Sequence, residues 1–300
     1  MALEDSTAVI PETRRHAAAV GVSSRKFRVP WVQIATWTAL VGGAVVMMFP
    51  IFWLVTTSLK TKAQIFKFPP VWIPDPVRWQ NYSDALRAQP FDRYAANTLI
   101  ITVANILGVM ISSSLVAYAF ARLRFPGRDI LFILILSELM LPQTVTLIPR
   151  YIEFRKLGWI DTWWPLIVPN FFGNAFFIFL LRQFFRTIPR DLSDAAKVDG
   201  ASELRIFWQI ILPLSRPALT VVAIFTFLYN WNDYLEPLIY ISSESKYTVA
   251  LGLANFRDQL STEWGLLMAG STMTIVPVIV LFFLLQRYFI RGVVLSGMKG

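Results

Sequence analysis

Six long apolar stretches run through the chain, with polar segments between them. Each stretch has about 20 residues or more, the length at which an α-helix crosses the hydrocarbon core of a bilayer. The pattern therefore predicts an all-α membrane protein with six transmembrane helices, over residues 31–59, 96–121, 130–149, 163–184, 217–241 and 266–290. Because neither a Gly/Ser-rich linker nor an internal repeat divides 31–290, this region is expected to form one transmembrane domain.

A polar segment precedes this domain, and a short tail containing Gly and Lys follows it. Residues 1–30 carry several basic residues, and the apolar run after them is too long for the core of a signal peptide. Since six crossings return the chain to the side where it began, 1–30 and 291–300 are expected to be cytoplasmic tails. With this orientation more Lys and Arg residues lie on the cytoplasmic side than outside, as the positive-inside rule requires. The reverse orientation is the less favoured alternative.

Composition excludes several classes of protein. The chain is 55% hydrophobic and 16% charged, with a mean hydropathy of +0.53, outside the range of soluble domains. It has no Cys and one His, His16, which excludes disulfides, thiolate metal sites and Cys or Ser-His-Asp catalysis in this chain. Its net charge of +9 is attributed to basic residues beside the membrane, not to nucleic-acid binding. The chain also lacks a G-x-x-x-x-G-K-S/T phosphate loop and a D-D-x-x-D cluster, so we expect no catalytic residue, metal or cofactor in it.

A polar segment, the 186–216 loop, separates the fourth and fifth apolar stretches. Asp191 is predicted to be a helix N-cap, with Asp194 three residues later as a short capping box. Gly200 is predicted to end this helix, and a second helix is predicted to begin at Ser202. A glycine between two short helices implies a bend. Residues with almost no side chain would let a partner approach closely, as a short helix does in a groove: Ala195, Ala196, Gly200 and Ala201.

This loop resembles the EAA loop of ABC importer permeases, which reads Glu-Ala-Ala, then Gly, then an apolar run closing in Leu-Pro. Here the motif stands as Asp194-Ala195-Ala196, Asp199-Gly200-Ala201 and Leu212-Pro213, with Asp in place of the usual Glu. An ordinary amphipathic surface loop would not explain why spacing, flanking stretches and Leu-Pro all agree. The resemblance implies a type I ABC importer fold, with a core of about 92–290 and a coupling helix that docks on a cytoplasmic ATPase. The implied ATPase contacts are Asp191, Asp194, Ala195, Ala196, Lys197, Asp199, Gly200, Ala201 and Ser202.

Two further stretches resemble the carbohydrate branch of these permeases. Residues 230–238 are similar to its fifth-span motif, and 291–300 are similar to the C-terminal tail of the maltose-transporter permease, ending in Gly-Met-Lys-Gly instead of Ala-Val-Lys-Gly. That tail implies further ATPase contacts by Ser296, Gly297, Met298, Lys299 and Gly300. The family implies a second related permease, two ATPase subunits that bind ATP and Mg²⁺, an extracytoplasmic solute-binding protein and a carbohydrate substrate. It also implies the inner membrane of a bacterial or archaeal cell.

Polar side chains within the apolar stretches are candidates for the substrate pathway, because such residues usually face a bundle interior or a water-filled cavity. Amides and carboxylates bind sugar hydroxyls, and aromatic rings stack on the apolar face of a sugar. The candidates are Glu138, Asn170, Asn174, Asn230, Trp231, Asn232, Asp233 and Tyr234. Helix–helix hydrogen bonding, or a place at the outer interface, remains an alternative for 230–234.

The sequence leaves two questions open. An ion-coupled secondary transporter, with Glu138 and Asp233 as ion sites, is the rival function, although such a mechanism has no use for a coupling helix. The proline-rich outer loop at 59–95 is expected either to help dock the binding protein or to cap the first two spans.

Overall fold

The structure, a computed structural model, describes residues 31–256 and 263–297. Within these ranges it is α-helical without a β-strand, which confirms the predicted fold class. The tail 1–30 and residues 298–300 lie outside the described residues. The α-helices are α1 (Trp31–Ser58), α2 (Lys62–Ile65), α3 (Gln80–Ala88), α4 (Phe91–Arg122), α5 (Arg128–Ser137), α6 (Gln143–Lys156), α7 (Trp164–Ile167), α8 (Ala175–Thr187), α9 (Asp191–Val198), α10 (Glu203–Ile206), α11 (Leu212–Leu214), α12 (Arg216–Asn232), α13 (Leu235–Tyr240), α14 (Val249–Ala254) and α15 (Trp264–Gly297).

By length and composition, four described helical segments are able to cross a membrane. They are α1, α4, the run Trp164–Thr187 that joins α7 to α8, and Trp264–Gln286 within α15. Two bent pairs also qualify when each pair is taken as one span, which raises the number to at most six. These pairs are Arg128–Met140 with Thr144–Lys156, bent by 101°, and Glu203–Leu214 with Arg216–Asn232, bent by 78°.

The predicted spans differ from the structure where proline or a side-chain cap interrupts the helix. Span 130–149 is not straight: α5 passes into a 3₁₀ turn and ends before Pro142, since proline disfavours the helical conformation of the preceding residue. Span 217–241 is wrong as a single helix, because α12 ends at Asn232 and the Asp233 carboxylate accepts a hydrogen bond from the Glu236 amide (3.3 Å) at the start of α13. Helix α15 also continues to Gly297, beyond the predicted limit at 290.

The chain divides into two compact units, Met1–Phe49 and Pro50–Gly300. In the first unit the described residues, 31–49, form a helix whose side chains are all exposed. In the second unit α4 is the central helix, with α8 and α12 packed against it. The largest cluster of buried side chains in the second unit comes from these three helices and from the 186–216 loop: Val109, Ala117, Tyr118, Ala121, Phe177, Leu181, Phe185, Ile188, Ile206, Phe207, Ile211, Ala218, Leu219 and Val222.

A polar clasp centred on Asp161 joins the segment before α7 to the segment after α13. The Asp161 carboxylate accepts hydrogen bonds from the Ser242 and Ser243 amides (3.0 and 2.8 Å) and from the Ser243 hydroxyl (2.5 Å). Lys246 Nζ lies 3.1 Å from the same carboxylate. These donors, with the Ser243 hydroxyl foremost, hold the pKa of Asp161 well below its ordinary value.

Candidate functional site

The first helix of the 186–216 loop is α9, as predicted, but its N-terminus is placed differently. Arg190 is the N-cap and Asp191 is the first helical residue, so the prediction that Asp191 caps the helix with its side chain is wrong. Asp191 and Asp194 instead lie in the first turn and Lys197 in the last, where their charges are favourable to the helix dipole.

The C-terminus of α9 confirms the predicted glycine bend. Gly200 has φ +79°, a left-handed conformation that is costly for residues with a Cβ. Its amide donates to the Lys197 carbonyl (3.0 Å), and the Ala201 amide donates to the Ala196 carbonyl (2.9 Å), which together form a Schellman motif. Ser202 then caps α10, where its hydroxyl accepts a hydrogen bond from the Arg205 amide (3.4 Å).

Helix α9 presents most of its surface outward. The exposed residues are Asp191, Leu192, Asp194, Ala195, Lys197, Val198, Asp199 and Gly200, and Val198 is 89% exposed. Ala196 and Ala201 are half-buried and pack against the main core. These two alanines and Asp199 also line a shallow cleft of 180 Å³. The predicted ATPase contacts therefore form two groups: most are exposed on the outer surface of α9, whereas Ala196 and Ala201 pack against the membrane helices.

The second half of the loop buries one of its faces, unlike α9. Ile206, Phe207 and Ile211 are at most 1% exposed and pack into the core formed by α4, α8 and α12. The Phe207 ring lies 5.2 Å from the Tyr118 ring of α4, measured between centroids. A loop whose second half is embedded in this way cannot move without moving the helices around it.

A hydrogen-bonded group of side chains joins the two halves of the loop to α4. The Tyr118 hydroxyl donates to Glu203 Oε2 (2.6 Å), and Lys197 Nζ of α9 lies 2.6 Å from Glu203 Oε1. Nearby, the Arg122 guanidinium at the end of α4 donates to the carbonyls of Phe185 (2.7 Å) and Ile188 (2.6 Å), and so holds the end of α8. Sequence reasoning missed Tyr118, Arg122 and Glu203, because no local pattern reveals contacts between residues this far apart in the chain.

A cavity of 690 Å³ lies beside α6, α8 and α12. Four of the predicted pathway residues line it: Glu138, Asn170, Asn174 and Asn230. Sequence reasoning missed other polar residues of its lining: Thr146, Arg150, Thr226, Tyr229, Glu236 and Tyr240. Arg150 Nη1 lies 3.9 Å from Glu236 Oε1, so the cavity contains an ion pair as well as amides and aromatic rings.

Among the asparagines of the cavity, Asn230 is hydrogen-bonded to another helix, whereas the side chains of Asn170 and Asn174 bond within their own segment. Asn105 of α4 is fully buried, and its amide donates to the Asn230 side-chain oxygen of α12 and to the Leu166 carbonyl (3.0 Å) of α7. Asn174 caps α8 by accepting a hydrogen bond from the Phe177 amide (3.2 Å). Asn170 donates to the Leu166 carbonyl (3.1 Å). Helix–helix hydrogen bonding, the alternative for Asn230, is therefore present in the structure.

The comparison with known families decides the identity of this arrangement. The family described as the binding-protein-dependent transport system inner membrane component matches residues 44–295. The chain belongs to this family. The resemblance to ABC importer permeases is thereby confirmed, and as a permease component the chain is a transport protein and not an enzyme.

Several relatives resemble the permease over most of its length. The probable ABC transporter permease protein YurM of Bacillus subtilis is 32% identical over 99% of this chain and 98% of its own. The sn-glycerol-3-phosphate transport system permease protein UgpE of Yersinia pestis is 35% identical over 85% of this chain and 93% of its own. A chain of a bacterial ABC transporter involved in the import of the acidic polysaccharide alginate superposes with a TM-score of 0.78, at 25% identity, over 88% of this permease and 99% of that chain.

The remaining predicted residues of the permease do not line the cavity. Trp231 is buried, stacks on Phe227 (5.3 Å between centroids) and donates its Nε1–H to the Thr274 carbonyl (3.1 Å) of α15. Asn232 and Tyr234 are exposed at the break between α12 and α13. Asp233 borders a smaller adjoining recess. Of the predicted tail contacts, Ser296 and Gly297 end α15, whereas Met298, Lys299 and Gly300 lie outside the described residues.

Proposed function

We propose that this chain is the membrane-spanning permease subunit of an ATP-driven, binding-protein-dependent sugar importer, with α9 as its coupling helix. The observation that carries the proposal is the division of the 186–216 loop. Helix α9 is exposed and carries small residues that a partner can approach, whereas the segment from α10 to Ile211 buries one face, formed by Ile206, Phe207 and Ile211, among the transmembrane helices. A coupling element needs both properties.

The mechanism begins at the ATPase subunits, which bind ATP with Mg²⁺ and move toward each other. Their motion displaces α9 through the contacts proposed for Asp191–Ser202 and through the C-terminal tail. Because Lys197, Glu203 and Tyr118 connect α9, α10 and α4, the displacement reaches α4 and the helices packed on it. The cavity then alternates between the two sides of the membrane. In this proposal each bent helix pair is one span, which gives six spans with both termini in the cytoplasm.

The 690 Å³ cavity is suited to a sugar as the transported substrate. Its amides, carboxylates and tyrosines match the hydroxyl groups of a carbohydrate, and the aromatic rings in its lining suit the apolar face of a sugar. Names of relatives agree with this chemistry: one is a diacetylchitobiose uptake permease of Streptomyces coelicolor, 32% identical over 86% of each chain. A second, related permease completes the pathway, and an extracytoplasmic solute-binding protein delivers the sugar in a bacterial or archaeal inner membrane.

Gly200 allows a direct test, because Gly127 provides a matched control. Both glycines have a left-handed conformation (φ +79° and +75°), and among the described residues no atom lies within 4 Å of a Cβ added at either. Trp at either position therefore carries the same backbone strain, about 1–2 kcal/mol. In proteoliposomes with the ATPases, ATP inside and loaded binding protein outside, we expect Gly200→Trp to lower sugar uptake at least about tenfold, equivalent to 1.4 kcal/mol. Gly127→Trp is expected to retain uptake.

Two outcomes would contradict the proposal. Normal uptake by Gly200→Trp, with equal amounts of both variants in the membrane, would exclude docking through α9. Uptake that stops when ionophores collapse the ion gradients, although ATP is present, would favour the ion-coupled transporter with Glu138 and Asp233 as ion sites.

A further inference from the structure

An unusually apolar surface lies in the segment 61–79, which follows the membrane helix α1. Five large apolar side chains within this segment have between 53% and 91% of their surface exposed: Phe66, Phe68, Trp72, Ile73 and Trp79. Single exposed apolar residues are ordinary, but a concentration of this kind indicates an interaction surface.

The segment folds back onto the end of α1. The Trp72 ring contacts the Trp53 ring edge to face, with 5.7 Å between centroids. The Arg78 amide donates to the Leu59 carbonyl (2.8 Å) directly after α1. Trp53 lies five residues before Ser58, the last residue of α1, and therefore about 7.5 Å along the helix axis from that end. Trp72 is thus held at the depth of the last turns of a membrane span.

Exposed apolar side chains are also present on the last turns of α1. Phe52 and Val55, one helical turn apart, are 45% and 37% exposed beside the end of the helix. Side chains at this level of a span meet the boundary between acyl chains and headgroups, where Trp and other aromatic residues are enriched. A lipid surface therefore accounts for both parts of the apolar surface, whereas a soluble partner would cover only the part outside the membrane.

The basic residues of the segment differ in their availability. Lys62 Nζ lies 2.5 Å from the Glu263 carboxylate, and Arg78 pairs with Asp84 (3.2 Å). Lys60 is 2% exposed, with its ammonium 3.9 Å from the centroid of the Trp53 ring. Lys67 lies between Phe66 and Phe68 in the sequence, is exposed, and has no ion-pair partner within the part of the chain that the structure describes. Its ammonium is therefore available to a negatively charged group outside the protein.

We propose that segment 61–79 lies in the headgroup region of the bilayer at the end of α1. Its exposed aromatic side chains rest on the acyl chains, and Lys67 contacts lipid phosphate. Such an anchor fixes the depth of α1, because moving the segment into water would expose all of these side chains. The proposal rests on the membrane placement of α1 in the proposed function, but not on the sugar, the ATPases or the coupling loop.

The absence of cysteine from the chain makes a site-specific test possible. Phe68→Cys places an environment-sensitive fluorophore at the most exposed of these positions, and Ser83→Cys places it on the exposed face of α3. The assembled transporter, with cysteine-free partner subunits, is placed in nanodiscs with or without brominated lipids. We expect brominated lipid to remove about half or more of the fluorescence at position 68, since interfacial residues enter the acyl boundary. Fluorescence at position 83 is expected to be nearly unchanged.

A second comparison tests the role of Lys67. In nanodiscs with anionic lipid, Lys67→Gln is expected to reduce the quenching at position 68, whereas Lys62→Gln, which removes a charge that is already paired, is expected to leave it unchanged. Fluorescence at position 68 that brominated lipid does not quench, or that changes only when the solute-binding protein is added, would overturn the proposal. These measurements need neither ATP nor transport, so their outcome is independent of the sugar, the ATPases and the coupling role of α9.

Discussion

Replacing Tyr118 by Phe removes one hydroxyl from the junction between the 186–216 loop and α4. Tyr118 is 5% exposed, and its hydroxyl donates to Glu203 Oε2 at 2.6 Å. The Phe ring keeps the packing against Phe207, so the change is confined to the hydrogen bond. A hydrogen bond to a charged group contributes about 1.5–3 kcal/mol. At about 2 kcal/mol, the equilibrium between an anchored and a released Glu203 shifts roughly thirtyfold.

The consequence for transport is a loss of coupling and not a loss of folding. We expect Tyr118→Phe to keep the basal rate of ATP hydrolysis, measured without binding protein, while it lowers the number of sugar molecules imported per ATP. Stimulation of the ATPase by loaded binding protein is expected to decrease as well. Both quantities are measured in proteoliposomes that contain the complete complex, with ATP hydrolysis and labelled-sugar uptake followed in the same preparation.

Tyr94 provides a matched control on the same helix. It is fully buried near the other end of α4, and its hydroxyl lies 3.0 Å from both Glu244 Oε1 and Gln89 Oε1, so it repeats the Tyr–Glu contact away from the 186–216 loop. Because Tyr94→Phe also removes one hydroxyl hydrogen bond, we expect it to lower thermal stability about as much as Tyr118→Phe does. The ratio of sugar uptake to ATP hydrolysis is expected to stay unchanged. Equal ratios in the wild type and Tyr118→Phe, or an equal loss of coupling in both variants, would refute the assignment of Tyr118 to the coupling path.

Three other changes test different parts of the structure. Asp161→Asn weakens the clasp to Lys246 and is expected to lower the unfolding temperature. Because the folded pKa of Asp161 is depressed, its stabilising effect is present above the ordinary carboxyl pKa of about 3.9 and is lost only as the pH falls below it. The difference in unfolding temperature between the wild type and Asp161→Asn should therefore be the same at about pH 5 and about pH 7. Gly108→Ala places a Cβ 2.7 Å from the Phe171 ring, so a loss of stability of about 1–3 kcal/mol is expected in thermal unfolding, measured against the wild type. Truncation of residues 291–300 is expected to change the ATPase rate of the complex, and an unchanged rate would contradict the proposed tail contact.

Local chemistry explains which parts of the loop could be predicted from the sequence. Gly200 ends α9 and Ser202 begins α10 because each residue acts on backbone groups only a few positions away. The N-cap was placed one residue late, since Asp at 191 satisfies the same pattern in the first turn as at the cap. The apolar stretches predicted helices in the right regions for the same reason: hydrophobicity is a property of the segment itself.

Contacts between distant parts of the chain could not be predicted in this way. Tyr118 and Glu203 are 85 residues apart, and each has an ordinary local explanation, as an interfacial aromatic residue and as an acid in the first turn of a helix. Trp231 was predicted to face the pathway because its neighbours are polar, but its side chain points to α15 and donates to Thr274. Within a membrane helix, polarity identifies residues that avoid lipid, and tertiary packing decides whether they face a cavity or another helix.

The two Tyr–Glu contacts connect the two ends of α4 to different parts of the chain. The helix Phe91–Arg122 has 32 residues without a proline and is about 48 Å long. Near one end Tyr118 holds Glu203 of the 186–216 loop, and near the other end Tyr94 holds Glu244 before α14. Between them, the amide of Asn105 connects the helix to α7 and α12 beside the cavity. In the proposed mechanism, a displacement of the loop acts on one continuous helix that also makes contacts at its middle and at its far end, so we expect the cavity and the opposite end of α4 to respond together.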